Sequence, residues 1–206
     1  MDSNEGGTID EKTVSRGATN GVMPVSVIIL AAGSSSRMGQ SKQLLPWGNE
    51  TLLSHTVRVA MESHAEHVFV VLGDNEIAHR KVIEKLPLTI VVNEEWQRGM
   101  GSSIKAGLRA AKDSDAVLIM VCDMPFVTKD HINNIIGANH PIVASKYEDT
   151  IGVPALFRKE MFDELMKIGD CEGARNLITN HKSQIVNLES GIDLDTPEDY
   201  TKALSN

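Results

Sequence analysis

Between residues 25 and 145, short apolar runs alternate with longer stretches whose apolar residues return every three or four positions. The first run, Val25-Ser26-Val27-Ile28-Ile29-Leu30, is β-branched and almost fully apolar, as suits a strand buried on both faces. His67-Val68-Phe69-Val70-Val71-Leu72 and Ala116-Val117-Leu118-Ile119-Met120-Val121 repeat it, and residues 88–92 and 141–145 form two shorter strands. Residues 51–63 set Leu52, Leu53, Val57 and Ala60 on one stripe at helical spacing. Residues 75–85, 101–112 and 128–137 read as further helices, the last with Thr128 as N-cap.

Strands alternating with helices of this length predict an α/β fold: a doubly wound, mostly parallel sheet with helices on both faces. Ligands of such sheets sit at the carboxyl ends of the strands, where the strand order reverses. The last third is less regular. It predicts a strand at 153–157, helices at 159–166 and 173–180, a strand at 184–188 and a final helix whose first turn suits Pro197. Residues 1–23 are polar and lack an apolar signal core; they are expected to be a disordered tail ahead of a single domain spanning 24–206.

Composition narrows the function classes. The 206 residues carry 20 Lys and Arg against 28 Asp and Glu, a formal charge of −8. That balance argues against general nucleic-acid binding, which demands basic surface, but one nucleotide needs only a few local cations. No apolar run approaches the ~18 residues of a membrane span. Cys122 and Cys171 show no CxxC spacing, so neither a zinc site nor a disulfide framework is expected, and a reducing, cytoplasmic location is the default reading. Aromatics are only 4%, so base recognition has to rest mostly on backbone and serine hydrogen bonds.

Four segments carry candidate chemistry. The first, Leu30-Ala31-Ala32-Gly33-Ser34-Ser35-Ser36-Arg37-Met38-Gly39-Gln40-Ser41-Lys42, follows the first buried strand. Its small residues let backbone N–H groups approach anionic oxygens closely. Arg37 can clamp two oxygens at once, and Lys42 adds a point charge. The segment is not a Walker A loop, because Lys42 does not follow Gly39 directly, and GxGxxG is absent. Read alone, it is equally a Gly/Ser turn with two solvated cations. The second, Asp123, stands at the carboxyl end of the 116–121 strand, where a carboxylate can hold a hard divalent ion or merely cap a turn.

In the third, Asp193 and Asp195 alternate along an extended segment and so point the same way. Asp195, or else Asp193, would supply a second metal ligand, while Glu198 and Asp199 suit the start of a helix. The fourth, Gly99-Met100-Gly101-Ser102-Ser103, opens the 101–112 helix, where free N–H groups and hydroxyls favour a polar ligand; a plain Gly/Ser helix start is the alternative. His64 and His67 have no evident third metal ligand. Cys122 reads as a small buried hydrophobe, and Trp47 and Trp96 as packing residues.

LAAGSSSRMGQSKQLLPW (30–47), GMGSSIKAGL (99–108), DMP (123–125) and DLDTPEDY (193–200), in that order, resemble the MobA-like nucleotidyltransferases, nearest the molybdenum cofactor cytidylyltransferase (MocA-type) branch. The resemblance spans residues 25–204. It implies a Rossmann-like nucleotidyltransferase fold and a Mg²⁺-dependent transfer of a nucleoside monophosphate onto a phosphorylated acceptor, with release of pyrophosphate. Leu30, Ala31, Ala32, Gly33 and Ser34 would approach the nucleotide, and Arg37 and Lys42 would hold the triphosphate. Gly99, Ser102 and Ser103 would lie by the base or ribose. Asp123 and Asp195 would bind Mg²⁺, and Arg37, Lys42 and Asp123 would form the catalytic set.

Gly152-Val153-Pro154 resembles the family's segment beside the acceptor pocket. The guanylyl-transferring branch carries Ala-Gly-Gly where this chain has Ala31-Ala32-Gly33, which favours CTP over GTP. The implied acceptor is the molybdopterin-bound molybdenum cofactor, with a molybdoenzyme as its recipient. Residues 169–175 hold one residue more than the family's Gly-Asp-x-Gly-Ala-Arg segment, so no role passes to Asp170. Two other readings stay open: a nucleotidyltransferase using GTP or acting on a sugar phosphate or other small phosphorylated acceptor, and a non-catalytic carrier of the cofactor.

Overall fold

The computed structural model describes residues 24–188 and 193–205; the expected tail, 1–23, lies outside them, as does the side chain of Arg37. The elements in chain order are β1 (Val25–Ala31), β2 (Pro46–Trp47), β3 (Glu50–Thr51), α1 (Leu52–Met61), β4 (His67–Leu72), α2 (Glu76–Ile83), β5 (Thr89–Val92) and α3 (Met100–Ala110). There follow β6 (Ala116–Val121), α4 (Lys129–Gly137), β7 (Ile142–Tyr147), β8 (Thr150–Arg158), α5 (Phe162–Lys167), α6 (Arg175–Asn180), β9 (Gln184–Asn187) and α7 (Pro197–Ala203).

Seven strands form one sheet in the order β5-β4-β1-β6-β8-β7-β9. β5, β4, β1 and β6 run parallel, β9 runs parallel to β7, and only β8 runs against its neighbours. This is the doubly wound α/β arrangement that the alternating pattern predicts. Every residue of β1 is buried because alternate side chains feed two cores. Val27 and Ile29 share one core with Leu53 and Val57 of α1, Ile83 of α2 and Ile132 of α4. Ile28 and Leu30 share the second core with Ile104 and Leu108 of α3, Leu165 of α5 and Ile178 of α6. Each such side chain, fully buried, contributes about 1.5–3 kcal/mol. From β1 the chain steps outward to β4 and β5, then returns across it to β6. The order therefore reverses between β1 and β6, which opens a crevice at their carboxyl ends.

Side-chain caps start α4 and α7 as expected. Thr128 accepts from the His131 amide, and Thr196 and Asp199 form a reciprocal capping box ahead of Pro197.

Two hairpins depart from the expected pattern. β2 and β3 pair across a turn containing Gly48 at φ 61°, in a segment for which the sequence pattern predicts no element. β7 and β8 extend beyond the expected 141–145 and 153–157 until Tyr147 faces Thr150. Their turn residue Glu148 takes φ 52° without being glycine. The expected helix at 159–166 begins as a 3-10 turn, Lys159–Met161, before α5.

Candidate active site

The loop after β1 lies at the reversal point. It makes a 3-10 turn at Ser36–Met38, entered through Ser35 at φ 55° and left through Gly39 at φ 68°, and a second one at Lys42–Leu44. Gln43 sits inside this double turn, 1% exposed. Its Nε2 donates to the carbonyls of Ala31 (3.2 Å) and Gly33 (2.8 Å). Its Oε1 accepts from the hydroxyls of Ser35 (3.0 Å) and Ser41 (2.9 Å). Because the Ser41 hydrogen goes to Gln43, the 2.6 Å contact between Ser41 Oγ and His79 Nε2 takes its hydrogen from the imidazole. His79 is fully buried, and burial lowers its pKa against the opposing pull of Asp74 and Glu76.

The Lys42 ammonium crosses from this loop to the end of β6. It pairs with Asp123 Oδ2 and lies 3.5 Å from Asp195 Oδ1. Asp195 is brought there by Leu194, whose N–H donates to the Asp123 carbonyl at 2.9 Å and whose side chain is buried against Leu52 and Ala203. Burial pulls the Lys42 pKa down, but the charges of Asp123 and Asp195 outweigh it and hold the group above its ordinary value. Asp123 Oδ1 is buried without a partner among the described residues. Asp193 is an exposed residue overall, yet local burial pushes its carboxyl up to about 6, with the charges of Asp123 and Asp195 adding to the push. The Cys122 thiol is pushed up to about 12 by burial, so it stays protonated and inert. No group of three or more His, Cys, Asp or Glu side chains is placed to hold a metal among the described residues. The carboxylates nearest to such a set, Asp123 and Asp195, face each other across Lys42.

Lys42 and Asp123 border a cleft of about 310 Å³, within the size range of small-ligand sites; Asp195 is not among its lining residues. Leu30, Ala31, Ala32, Gly33, Ser34, Lys42, Gln43 and Asp123 all contribute to it. Trp96, Gly99, Met100 and Ser103 line it as well; Trp96 packs against the core, as expected, and also borders the cleft. Trp47 packs too, edge-on against Phe126. Ser102 does not line the cleft; its hydroxyl donates to the carbonyls of Gly99 (2.7 Å) and Glu95 (3.2 Å). Buried Asn93 holds both serines, its Nδ2 donating to Ser102 Oγ at 2.9 Å and Ser103 Oγ at 3.0 Å. Its Oδ1 accepts from the Glu95 amide, which fixes the orientation of the carboxamide.

The start of α3 differs from the expected helix terminus with free N–H groups. The Gly101 amide donates to the Asp170 carbonyl at 2.8 Å, and that of Ser102 to Gly99. Asp170, given no role in the sequence reading, clasps this corner. Its carboxylate pairs with Lys105 (2.7 Å) and Arg98, which hold it below the usual carboxylate range. Gln43, His79, Asn93 and Asp170 are the residues that sequence reasoning missed. Gln43 was within view, as the residue after Lys42.

The geometry describes a cleft of small-ligand size, lined by a glycine- and serine-rich loop, Lys42 and Asp123. The chain belongs to the MobA-like NTP transferase domain family, whose model matches residues 27–185. Among individual relatives, it is 30% identical to the molybdenum cofactor cytidylyltransferase of Escherichia coli (strain K12), over 87% of this chain and 95% of that protein. It is 28% identical to the purine catabolism protein PucB of Bacillus subtilis (strain 168), over 84% and 92%. The crystal structure of Rv0371c from Mycobacterium tuberculosis H37Rv superposes with a TM-score of 0.82 at 28% identity, covering 90% of this chain and 99% of that one. The same mycobacterial protein was also solved in complex with manganese; that structure matches with a TM-score of 0.78 at 26% identity, over 89% of this chain and 100% of that one.

Proposed function

We propose that this protein transfers CMP from CTP to the phosphate of the molybdopterin-bound molybdenum cofactor, with Mg²⁺ as the metal and pyrophosphate as the leaving group, for delivery to a molybdoenzyme. The observation that carries the reading is Lys42, which lines the cleft beside Asp123 and is held between Asp123 and Asp195. A phosphomonoester has its second pKa near ~6 and is largely a dianion at neutral pH, so the attacking oxygen needs little help from a base. The obstacle is repulsion between two polyanions.

In this reading, Arg37 and Lys42 bind triphosphate oxygens and stabilise the charge that builds on the departing pyrophosphate. The amides of Gly33 and Ser34, which have no protein acceptor among the described residues, approach the same oxygens. Ser103 faces the base or ribose across the cleft. Asp123 and Asp195 would hold the Mg²⁺, which supplies charge neutralisation and orientation of the phosphates. The residues present suit it: Asp123 offers a buried oxygen without a partner, and a lysine ammonium already occupies the space between the two carboxylates. CTP is favoured by Ala31-Ala32-Gly33 and by the similarity to a cytidylyltransferase.

The test is pyrophosphate release from each of the four NTPs with Mg²⁺ and the molybdopterin cofactor. CTP should give the fastest release. Faster release with GTP, or with a sugar phosphate as acceptor, would overturn the specificity. A stable complex with an apo molybdoenzyme but no release would replace the enzyme with a carrier.

A further inference from the structure

We propose that Gln43 is the positioning residue that sets the polarity of the phosphate loop, holding the Ala31 and Gly33 carbonyls inward so that the loop turns N–H groups instead of those carbonyls to a polyphosphate. This rests on the reading that the loop holds a triphosphate. Three successive carbonyls, of Ala31, Ala32 and Gly33, lie where they would repel phosphate oxygens if they faced the cleft. All three are tied to protein donors: Ala31 and Gly33 to the two hydrogens of Gln43 Nε2, and Ala32 to the Asp74 amide at 3.0 Å.

The other end of the carboxamide takes the hydroxyls of Ser35 and Ser41. Ser35 in turn accepts from the Lys42 amide at 3.2 Å, so the same network fixes the backbone that carries the lysine. His79 secures Ser41 from beneath and joins the network to α2. A side-chain carboxamide presents two donors at one end and two acceptor sites at the other, and here all four are used. Glutamate has the same length but brings only acceptors, which would oppose the two carbonyls. Methionine has the length and none of the bonds.

The experiment measures binding of magnesium tripolyphosphate, which carries no base, to the full chain by calorimetry. Wild type is expected to bind. Gln43→Glu and Gln43→Met should weaken it by at least about tenfold. Ser35→Ala, which removes the hydroxyl and with it both the bond to Gln43 and the bond from the Lys42 amide, should weaken it about two- to fivefold. His131→Asn alters a buried histidine away from this loop and should bind as wild type does, even at a lowered melting temperature. If wild type does not bind tripolyphosphate, the triphosphate reading falls and this inference with it. If wild type binds and the folded Gln43 variants bind equally well, the inference alone is overturned. Should both Gln43 variants fail to fold, Ser35→Ala decides, and unchanged affinity there overturns it.

Discussion

Lys42 and Asp123, 81 positions apart in the sequence, form an ion pair at the carboxyl end of the sheet, with Asp195 completing the group. Lys42→Met removes the cation and leaves two carboxylates facing each other in a partly buried site. The loss should be about 1–3 kcal/mol of stability, and millimolar Mg²⁺ or Mn²⁺ should restore part of it. Asp123→Asn should lose the metal-dependent rise in melting temperature. Both variants should lose pyrophosphate release by at least about 10²-fold. Thermal unfolding with EDTA and with added metal, alongside a release assay, checks this. Wild-type turnover in either variant would refute the assignment.

Gly33 and Gly101 separate a glycine needed by a ligand from one needed by the fold. A Cβ added to Gly33 meets nothing within 4 Å. Gly33→Ala should therefore fold with stability within about 0.5 kcal/mol of wild type while binding nucleotide more weakly. A Cβ on Gly101 overlaps the Gly169 carbonyl oxygen and lies 2.9 Å from that of Glu172, and backbone cannot step aside cheaply. Gly101→Ala should cost about 1–3 kcal/mol, with displacement of the 169–172 loop. Urea denaturation and nucleotide titration on both variants test the contrast.

The central sheet was legible because β1, β4 and β6 are almost fully apolar runs, and such runs have few alternatives to a buried strand. The placement of Asp123 followed from β6, since the residue ending a parallel strand opens onto the crevice. The outer hairpin was hidden: Lys146, Glu148 and Asp149 are charged and sit on a solvent-facing arm, where polarity reads as a loop. Its turn also lacks the Asn-Gly or Asp-Gly pair that signals a two-residue connection. Gln43 and Asp170 were unreadable for another reason. Their roles come from partners that only the fold supplies, such as Lys105, 65 positions from Asp170. The Arg37 and Lys42 pair shows the reverse limit, since their charge is plain in the sequence but their direction is not.

His79 and His131 are both buried, and burial lowers both pKa values. The folded state therefore binds fewer protons than the unfolded chain once pH falls toward the ordinary histidine value of about 6.5. Stability should be full above that pH and decline below it, with a slope of up to about 1.4 kcal/mol per pH unit for each histidine. Ser145 donates its hydrogen to the Pro154 carbonyl at 2.6 Å, so the neutral His131 must present Nε2–H to Ser145. His131→Asn should lower stability at pH 7.5 and flatten the acid slope between pH 6.5 and 5. Equal slopes for wild type and variant in urea denaturation would remove His131 from the account.

Ser102 and Ser103 are adjacent, both buried and both held by Asn93, yet only Ser103 lines the cleft. The Ser102 hydrogen is spent on the Gly99 and Glu95 carbonyls, whereas that of Ser103 has no protein acceptor among the described residues. Ser102→Ala should thus act on the fold, costing about 1 kcal/mol and leaving base preference intact. Ser103→Ala should act on the ligand. Stability should change little, affinity for the preferred NTP should fall about three- to tenfold, and affinity for tripolyphosphate should stay the same because that probe has neither base nor ribose. Nucleotide and tripolyphosphate titrations on the two variants read these effects separately. A Ser103→Ala loss equal for both probes would place the hydroxyl on the phosphates instead of on the nucleoside.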